Sequence, residues 1–467
     1  MQDIDRQSLS HDPIHGYIPF TSGKGLPPGE SSERDIIDHP WVQRLRYIHQ
    51  LQTAWLVFPT AEHTRFQHVL GVMHLASRAT SQLYDSLREQ HPDVPSRGYV
   101  ETLLRMAGLL HDVGHGPFGH FFDDHFLQGF GLTHETLGSH IIRHELGELL
   151  RNLRGNPNSR LEPGETLDPN HVAYLIARPK QTDPEQDRPG WLQALRSLFS
   201  GIYTVDNMDF VLRDAYMSGY SVSPFDLDRI LHYSFFSERG LTIHSRGLAA
   251  LVRFITARAE LFRTIYFHRT VRAIDLSLAD LFHESKHHLF PGNPLEHLAE
   301  YRDFHEMSLL VDVARWERSD NEEKRQLGVR WRQFLNRQIP WKMACERTLF
   351  FQPHDAERSS IFSDPEFVER KLRQQLPGEL ANMPLRVDLA RHVHRPGSRG
   401  PTAGLNFLYD ASHNRIRQLN DDALFRRIPV SYRICRVYVQ DRSHNATLAA
   451  ALDALIGNDS DDDLTNM

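Results

Sequence analysis

The spacing of apolar residues limits the fold of this chain more than any other feature of its sequence. Through most of the first 290 residues, apolar side chains recur every three or four positions, which is the period of an α-helix with one buried face. Thr133 is suited to cap a helix at its N-terminus, and Gly114 and Gly116 are suited to end one. The segments with this pattern are 34–90, which a break at Trp55–Pro59 divides in two, 99–111, 133–141, 203–217 and 247–290. We therefore predict a mainly α fold.

The pattern changes from about Ala344 onward, where β-prone runs replace the helical period. We predict strands near 386–389, 407–409 and 432–440, and a small helix near 446–456. The chain is thus predicted to have a large helical domain over 1–343, a smaller C-terminal α+β lobe over 344–457 and an acidic tail over 458–467. The helical domain has its core at about 34–290, with loop insertions near 152–190 that are rich in Pro, Gly, Asn and charge.

Composition excludes several classes of protein. Hydrophobic residues make up 40% of the chain and charged residues 24%, as in folded globular domains. No apolar run approaches the roughly 20 residues that span a bilayer, so we expect no membrane partner. Cys345 and Cys435 are too few for a disulfide framework, which favours a reducing compartment and a cytoplasmic location. The net charge of −7 comes largely from the acidic tail, and gives no indication of a nucleic-acid partner.

Histidine is unusually frequent, with 29 residues, and its pattern indicates metal chemistry. His111 and Asp112 are adjacent at a predicted helix end, and the segment 109–123 holds three histidines and two aspartates. An α-bundle could bring this pair together with His68 and Asp206 to hold one divalent ion, since borderline metals accept imidazole and carboxylate. Mn²⁺, Fe²⁺, Mg²⁺ and Zn²⁺ all suit such ligands to differing degrees. Each histidine taken alone could equally be a structural core residue or a surface residue.

The order of several motifs resembles a known family. The motifs are 12–16, 43–47, 57–59, 64–72, 111–120, 133–135 and 206–214. Together they resemble the HD-domain superfamily, in particular its deoxynucleoside triphosphate triphosphohydrolase branch, which includes vertebrate enzymes with SAM and HD domains and bacterial dGTPase-like homologues. The resemblance covers roughly 8–290 well and the rest loosely. Because it begins near residue 8, we expect no SAM module. It implies an HD-domain helical bundle, with the HD phosphohydrolase domain over 1–343.

The resemblance also implies an activity and its residues. It implies metal-dependent hydrolysis of deoxynucleoside triphosphates to deoxynucleoside and tripolyphosphate, with His68, His111, Asp112 and Asp206 as metal ligands. The implied catalytic residues are His115, His120, Asp123 and His134, with His115 or His120 as general acid or base. The implied substrate contacts are Gln50, Leu51, Arg65, Phe210, Asp214, Arg258 and Tyr266. From the sequence alone, His134 could also be an exposed residue at a helix start, and Arg65 could be a surface arginine.

Regulation is implied by the same resemblance. Many members of the branch are homo-oligomers activated by a guanine nucleotide or a dNTP, so we expect a dimer or tetramer and such an activator. The implied activator contacts are Asp38, Gln43, Arg46, Arg229, His268 and Arg269. The guanine edge offers donors and acceptors that Asp, Gln and Arg can pair with. The segment Gln43–Arg46 could also be simply an exposed helix face.

Several positions depart from the family pattern. Phe210 replaces a tyrosine that excludes a ribose 2′-hydroxyl, Asn207 replaces a phosphate-contacting lysine, and Ser8 replaces the lysine that neutralises the activator phosphates. Phe262 and Phe267 replace a His and a Gln. Two alternatives therefore stay open beside the dNTP triphosphohydrolase. One is an HD phosphohydrolase of another nucleotide, such as a monophosphate or a signalling nucleotide. The other is a nucleotide- or nucleic-acid-binding protein with a vestigial site.

Overall fold

The structure of the protein is a computed structural model that describes residues 6–177, 188–351, 361–393, 406–428 and 431–460. Most of the loop predicted over 178–190 and the acidic tail beyond residue 460 lie outside the described residues. No helix within the described ranges has the length and apolar character needed to cross a membrane.

The predicted mainly α fold is confirmed. The longest helices of the first 290 residues are Arg65–Gln90, Arg97–Leu110, Val205–Met217, Leu248–Leu261 and Arg269–Leu289. The other helices in the described residues are Glu33–Ile37, Pro40–Gln43, His120–His125, His134–His144, Gly147–Asn152, Pro169–Ile176, Gly190–Leu195, Leu227–His232, Leu298–Asp303, Glu306–Val313, Glu322–Leu335, Pro365–Gln375, Ala423–Arg426 and Asn445–Ser460.

The helices begin and end where local chemistry favours it. Thr133 is the N-cap of the helix His134–His144, as predicted, and its side chain accepts from the Thr136 backbone. Thr64 and Gln67 form a capping box at the start of Arg65–Gln90. One predicted helix differs from expectation, because 247–290 is not continuous: a π-helical turn, Phe262–Tyr266, follows Leu248–Leu261 and precedes Arg269–Leu289.

Two helices before residue 111 pack closely against each other. The helix Arg97–Leu110 is buried along almost its whole length and packs against Arg65–Gln90. Gly108 allows the close approach, since a Cβ at that position would lie 3.0 Å from the Met73 backbone nitrogen. His111 follows Leu110 directly and is the C-cap of its helix. The packing of these two helices therefore sets the position of His111 relative to the first turn of Arg65–Gln90.

The chain forms two compact units that interleave along the sequence. Unit 1 comprises 1–257, 287–312 and 399–425, and unit 2 comprises 258–286, 313–398 and 426–467. The sequence instead predicted successive domains with a boundary at 343/344, and that boundary stays a prediction. The strand Phe407–Asp410 falls in unit 1, although it was expected in the C-terminal lobe, because it pairs in parallel with Gly240–His244.

Three sheets accompany the helices in the described residues. Unit 1 holds an antiparallel hairpin of Gln7–Asp12 with Gly16–Thr21, and a four-stranded sheet in the order Ser234–Ser237, Gly240–His244, Phe407–Asp410 and Arg415–Gln418. In unit 2 the strand Ser431–Val439 lies between Lys342–Phe351 and Leu385–Val393, antiparallel to both. Cys345 and Cys435 lie in the apolar core of unit 2. The strands predicted in the C-terminal region are confirmed. The sequence did not predict the hairpin of Gln7–Asp12 with Gly16–Thr21, nor the antiparallel pair of Ser234–Ser237 with Gly240–His244.

Candidate metal centre

The four predicted metal ligands come from three helices of unit 1. His68 lies in the first turn of Arg65–Gln90, His111 and Asp112 follow Arg97–Leu110, and Asp206 lies in the first turn of Val205–Met217. His68 Nε2 is 3.3 Å from His111 Nε2 and 3.1 Å from Asp206 Oδ1. His111 Nε2 is 3.7 Å from the same carboxylate oxygen. Two ring nitrogens and one carboxylate oxygen therefore converge on one point, as the ligands of a divalent ion do.

The outer nitrogens of both histidines are held by fixed acceptors. His111 Nδ1 is 2.8 Å from the Gly108 carbonyl oxygen, and His68 Nδ1 is 2.8 Å from Asp209 Oδ2. Because a carbonyl oxygen can only accept, Nδ1 of His111 carries its proton, and Nε2 of the neutral ring has a lone pair available. This arrangement, in which the outer nitrogen is held and the inner one is available, is typical of metal-binding histidines.

Asp209 is the centre of a buried network behind His68. It accepts hydrogen bonds from Arg213, whose Nε and Nη2 lie 2.9 and 3.0 Å from its two oxygens, and His15 Nε2 is 2.7 Å from its Oδ1. Gly71 leaves room for the carboxylate, since a Cβ there would lie 2.0 Å from Asp209 Oδ1. Burial by itself would raise the pKa of Asp209, but Arg213 and the two histidines hold it well below its usual range. Asp209 is therefore a charged acceptor that fixes the His68 ring.

Asp112 borders both the converging ligands and a second group of histidines. Its Oδ2 accepts from Arg65 Nη1 at 2.6 Å, while its Oδ1 is 3.4 Å from His111 Nε2 and 3.4 Å from His115 Nε2. Gly119 permits the position of Arg65, because a Cβ on this residue, whose φ is +58°, would lie 2.2 Å from Arg65 Nη2. Although burial opposes ionisation, His111 and Arg65 keep the pKa of Asp112 well below its usual range.

The electrostatics of the three converging groups favour a cation between them. Burial disfavours the charged form of His68, yet hydrogen bonds to Asp206 and Asp209 raise its pKa to about 10. Burial likewise disfavours ionised Asp206, and the two histidines lower its pKa. The carboxylates thus stabilise positive charge at a point where two Nε2 atoms face each other. A divalent ion there would satisfy all three groups, so the residues fit the predicted metal.

A second group, called the histidine cluster, consists of His115, His120, Asp123 and His134. His134 Nδ1 is 2.5 Å from Asp123 Oδ2, and His120 Nδ1 is 3.2 Å from the same oxygen. The rings of His115 and His134 stack with centroids 3.7 Å apart. His115 and His134 are buried, whereas 58% of the His120 side chain is exposed. The buried position of His134 excludes the exposed residue at a helix start that the sequence left open.

The histidine cluster keeps unused hydrogen-bonding capacity. His115 Nδ1 is 3.5 Å from Asp123 Oδ2, but neither ring nitrogen of His115 has hydrogen-bond geometry with any described residue. Asp123 Oδ1 is likewise buried without a partner among the described residues. Burial opposes ionisation of Asp123, but the three histidines of the cluster lower its pKa. The pKa of His134 is also lowered, because the ring is buried and lies beside His115. The cluster therefore combines an ionised carboxylate with imidazoles that can exchange protons.

The predicted substrate residues of unit 1 fall into two sets. Arg65 lies at the site through Asp112, and Phe210 is half-buried on the helix of Asp206. Asp214 is buried, with its Oδ1 2.7 Å from His63 Nε2. The Gln50 backbone N–H donates to the His63 carbonyl. The side-chain oxygen of Gln50 is buried without a partner among the described residues, and the neighbouring Leu51 is also buried. Gln50 and Asp214 thus meet at His63, which sequence reasoning had not singled out.

Only some of the predicted activator residues lie close to one another in the described structure. In unit 1, Arg46 Nε donates to Gln43 Oε1 at 2.8 Å, and Gln43 Nε2 donates to the carbonyl of Ile37, next to Asp38. Asp38 itself is exposed and accepts from Arg34. Arg229 lies in another helix and donates to the Arg246 carbonyl. The other predicted nucleotide contacts, Arg258, Tyr266, His268 and Arg269, belong to unit 2, and Tyr266 ends its π-helical turn.

Sequence reasoning missed Asp209, His15 and His63 as parts of the site. Asp209 had a detectable signal, because it lies three residues after Asp206 and four before Arg213, so that all three positions share one helix face. His15 and His63 lie in loops, where no periodicity indicates what they contact. Their proximity to Asp209 and Asp214 depends on the tertiary fold.

Comparison with known proteins gives consistent results. The family model "HD domain" matches residues 65–168, which contain His68, His111, Asp112 and the histidine cluster. The chain is 29% identical over 352 residues to the uncharacterized protein YwfO of Bacillus subtilis, covering 72% of each chain. It is also 29% identical to the deoxynucleoside triphosphate triphosphohydrolase SAMHD1 of Gallus gallus, and the match covers 61% of this chain and 46% of that protein. The identity to the SAMHD1 of Homo sapiens is likewise 29%, and that match covers 60% of this chain and 45% of the human protein. The chain thus spans less than half the length of these two relatives.

One solved structure shows the fold over nearly the whole chain. A hypothetical protein from Aquifex aeolicus superposes with a TM-score of 0.66, covering 96% of this chain and 100% of that one. The sequences are 22% identical, so this similarity concerns the fold alone.

Proposed function

We propose that the chain is a metal-dependent phosphohydrolase of nucleotides, because an HD-domain family model matches residues 65–168 and SAMHD1 deoxynucleoside triphosphate triphosphohydrolases are among the proteins similar to it. Its proposed reaction is the hydrolysis of a dNTP to deoxynucleoside and tripolyphosphate. Its proposed metal ligands are His68, His111, Asp112 and Asp206. The proposed ion is Mn²⁺, Fe²⁺, Mg²⁺ or Zn²⁺.

The observation that carries this proposal is the shared position of Asp112. Its Oδ1 lies 3.4 Å from His111 on the metal side and 3.4 Å from His115 on the side of the histidine cluster. A phosphoryl group bound beside Asp112 would therefore contact both groups. Hydrolysis of a phosphate ester needs an oriented water, positive charge at the phosphoryl oxygens and a proton for the leaving group. The two groups hold residues suited to each need.

Each residue has a proposed part in the reaction. A divalent ion, when bound, supplies charge to the phosphoryl oxygens and lowers the pKa of water. Arg65, whose Nη1 is held by Asp112, directs the rest of its guanidinium to a phosphate. Water attacks the α-phosphorus and forms the new P–O bond of tripolyphosphate, losing its proton to the histidine cluster. His115 or His120 donates a proton to the 5′ oxygen of the deoxynucleoside as the bond from that oxygen to the α-phosphorus breaks. Asp123 orients His134 and balances the charge of the cluster.

We also propose which residues contact the substrate and which residues contact an activating nucleotide. Gln50, Leu51, Phe210, Asp214, Arg258 and Tyr266 are proposed to contact the nucleotide. We propose that an activating guanine nucleotide or dNTP binds at Asp38, Gln43 and Arg46, with Arg229, His268 and Arg269 as further contacts, in a homodimer or homotetramer. The pairing of Arg46 with Gln43 supports this, because it orders the donors and acceptors that a base edge would need.

A product assay tests the proposed function. The purified protein is incubated with each dNTP and NTP in the presence of Mn²⁺, Mg²⁺, Fe²⁺ or Zn²⁺, and the phosphate products are separated by ion-exchange chromatography. We expect tripolyphosphate and deoxynucleoside in equal amounts. Orthophosphate or pyrophosphate as the main product would instead support a phosphohydrolase of another nucleotide. Binding without turnover for every nucleotide and metal would support a protein with a vestigial site.

A further inference from the structure

Arg44 is a buried arginine to which the proposed reaction gives no role. Only 3% of its surface is exposed, and it forms no ion pair with any residue that the structure describes. Its guanidinium instead donates five hydrogen bonds, all of them to backbone carbonyl oxygens. Five is the full donor capacity of an arginine side chain. Because these donors are all used inside the protein, the segments that Arg44 holds indicate what it does.

One of these segments is the turn that carries His115. Arg44 Nη1 donates to the His115 carbonyl at 2.6 Å and to the Val113 carbonyl at 3.4 Å. The carbonyl between them, that of Gly114, accepts from the hydroxyl of the buried Tyr301 at 2.9 Å. The Arg44 guanidinium lies 4.8 Å from the centre of the Tyr301 ring. Two side chains in contact therefore hold three consecutive carbonyls, and we call Arg44 and Tyr301 the carbonyl clamp.

The rest of the Arg44 guanidinium anchors the carbonyl clamp to a second segment of unit 1. Nε donates to the Arg302 carbonyl at 3.2 Å, and Nη2 donates to the carbonyls of Tyr301 and Phe304 at 3.2 and 2.7 Å. These carbonyls lie at the end of the helix Leu298–Asp303 and just after it, where backbone acceptors have no partner within the helix. One planar, rigid group thus ties the turn to a helix end.

The His115 ring has no hydrogen bond of its own that could fix its position. Neither ring nitrogen has hydrogen-bond geometry with a described residue, and the ring instead stacks on His134 with the centroids 3.7 Å apart. Gly114 permits this contact, since a Cβ there would lie 2.1 Å from the His134 carbonyl oxygen. Stacking restricts the separation of two rings but permits one ring to slide across the other. The position of His115 therefore depends on the backbone of its turn, which the carbonyl clamp fixes.

We propose that Arg44 and Tyr301 are positioning residues, which hold the ring of His115 in its reactive position. This inference rests on the proposed role of His115 in hydrolysis. Such precision matters to catalysis, because misplacing a catalytic group by about 1 Å can reduce turnover by about a hundredfold.

The proposed metal ligands beside this turn have supports of their own. His111 Nδ1 is held by the Gly108 carbonyl, and Asp112 Oδ2 accepts from Arg65 Nη1. Loosening the carbonyl clamp should therefore lower kcat, while the metal content stays the same and KM for the nucleotide changes by less than about twofold.

Two substitutions loosen the carbonyl clamp to different extents. Arg44→Lys keeps the buried positive charge, but a single ammonium group cannot reach five carbonyls, so we expect kcat to fall by about a hundredfold. Tyr301→Phe removes only the hydroxyl that donates to Gly114 and keeps the ring. It should fold as the wild type does and lower kcat by about three- to tenfold, which is the effect of losing one hydrogen bond.

A double-mutant cycle tests whether the carbonyl clamp acts through His115. The value of kcat is measured for Arg44→Lys and Tyr301→Phe, each alone and each combined with His115→Ala. Once His115 is absent, either substitution should change the residual kcat by less than about twofold. Residues that served only the stability of the fold would lower kcat by the same factor in both backgrounds, and that result would overturn the proposal.

NMR spectra of protein with isotope-labelled histidine rings in Mg²⁺ test the same proposal without turnover. The His115 signal, identified by its absence in His115→Ala, should shift in both clamp variants because the ring moves relative to His134. The signal of the exposed His413 should stay in place. An unchanged His115 signal in both variants would overturn the proposal. If that signal shifts but the wild type hydrolyses no nucleotide, the proposed function fails and the positioning of His115 by the carbonyl clamp stands.

The chain offers a matched control for each clamp variant. Arg373 in unit 2 also donates to three backbone carbonyls, so Arg373→Lys makes the same chemical change at another turn. The buried Tyr84 donates its hydroxyl to the Pro95 carbonyl at 2.8 Å, so Tyr84→Phe matches Tyr301→Phe. Both controls should keep the wild-type kcat and His115 signal. A loss of kcat in the controls as large as in the clamp variants would show a general effect of weakening the fold, which would contradict the proposal.

Discussion

The proposed metal centre and the histidine cluster adjoin at Asp112, yet they differ in how completely the protein satisfies their side chains. In the metal centre, both outer ring nitrogens are held, His68 by Asp209 and His111 by the Gly108 carbonyl. In the histidine cluster, both nitrogens of His115 and one oxygen of Asp123 have no hydrogen-bond partner among the described residues. The fixed side chains of the metal centre suit a permanently bound ion. The unused hydrogen-bonding groups of the histidine cluster suit a substrate that binds and dissociates in each reaction cycle.

Removing a proposed metal ligand should have the largest effect. We expect His111→Ala and Asp112→Ala to lose the metal and to reduce turnover by about a thousandfold or more, since the ion contributes several kcal/mol to transition-state stabilisation. Metal content of the purified variants and circular dichroism are measured together. His111→Ala is the easier variant to interpret. Asp112→Ala also leaves the buried charge of Arg65 unpaired, which lowers the stability of the fold by about 3–5 kcal/mol. Full metal occupancy in both variants would contradict the assignment.

Changes in the histidine cluster should separate catalysis from metal binding. We expect His115→Ala and His120→Ala to keep the metal and lose turnover by at least about a hundredfold, the usual effect of removing a general acid or base. His144→Ala, an exposed position at the end of the helix His134–His144, is the control and should behave as the wild type. The four cluster side chains are themselves close enough to hold an ion. Loss of metal in His115→Ala would therefore show that this residue is a ligand.

The Asp209 network should have a smaller effect, confined to the metal centre. In Asp209→Asn the carboxylate that orients His68 becomes neutral while its shape is kept. We expect metal affinity to fall by about 10–100-fold, as for other partners of metal-binding histidines. Turnover at saturating metal should fall much less. Titration against a chelator of known affinity measures this, with Asp228→Asn as an exposed control. Unchanged affinity would mean that Asp209 serves only the stability of the fold.

The sequence predicted most of this arrangement, and the exceptions share a physical cause. Helical periodicity and capping residues are local, so the helices that carry His68, His111 and Asp206 were predictable from short segments. The pairings of the hairpin Gln7–Thr21 and of Gly240–His244 with Phe407–Asp410 connect distant parts of the chain, and no local pattern specifies them. The same holds for His15, whose contact with Asp209 spans 194 residues. The roles of the histidine cluster came from family resemblance, because periodicity does not distinguish a catalytic histidine from a structural one.

The smallest predicted effect concerns the sugar, and it should leave both groups intact. Phe210 is half-buried on the helix of Asp206, where relatives of the resembled family carry a tyrosine. Its ring still fills space that a ribose 2′-hydroxyl would need, so we expect the wild type to prefer deoxyribonucleotides. It lacks a hydroxyl, however, and an unmet hydrogen bond costs about 1–3 kcal/mol, so selectivity should be weaker by up to one or two orders of magnitude. Phe210→Tyr should therefore raise the ratio of kcat/KM for dATP over ATP, and for dGTP over GTP, with unchanged metal content. A wild-type preference for ribonucleotides, or a lower ratio in Phe210→Tyr, would remove Phe210 from the sugar pocket and favour a different nucleotide as substrate.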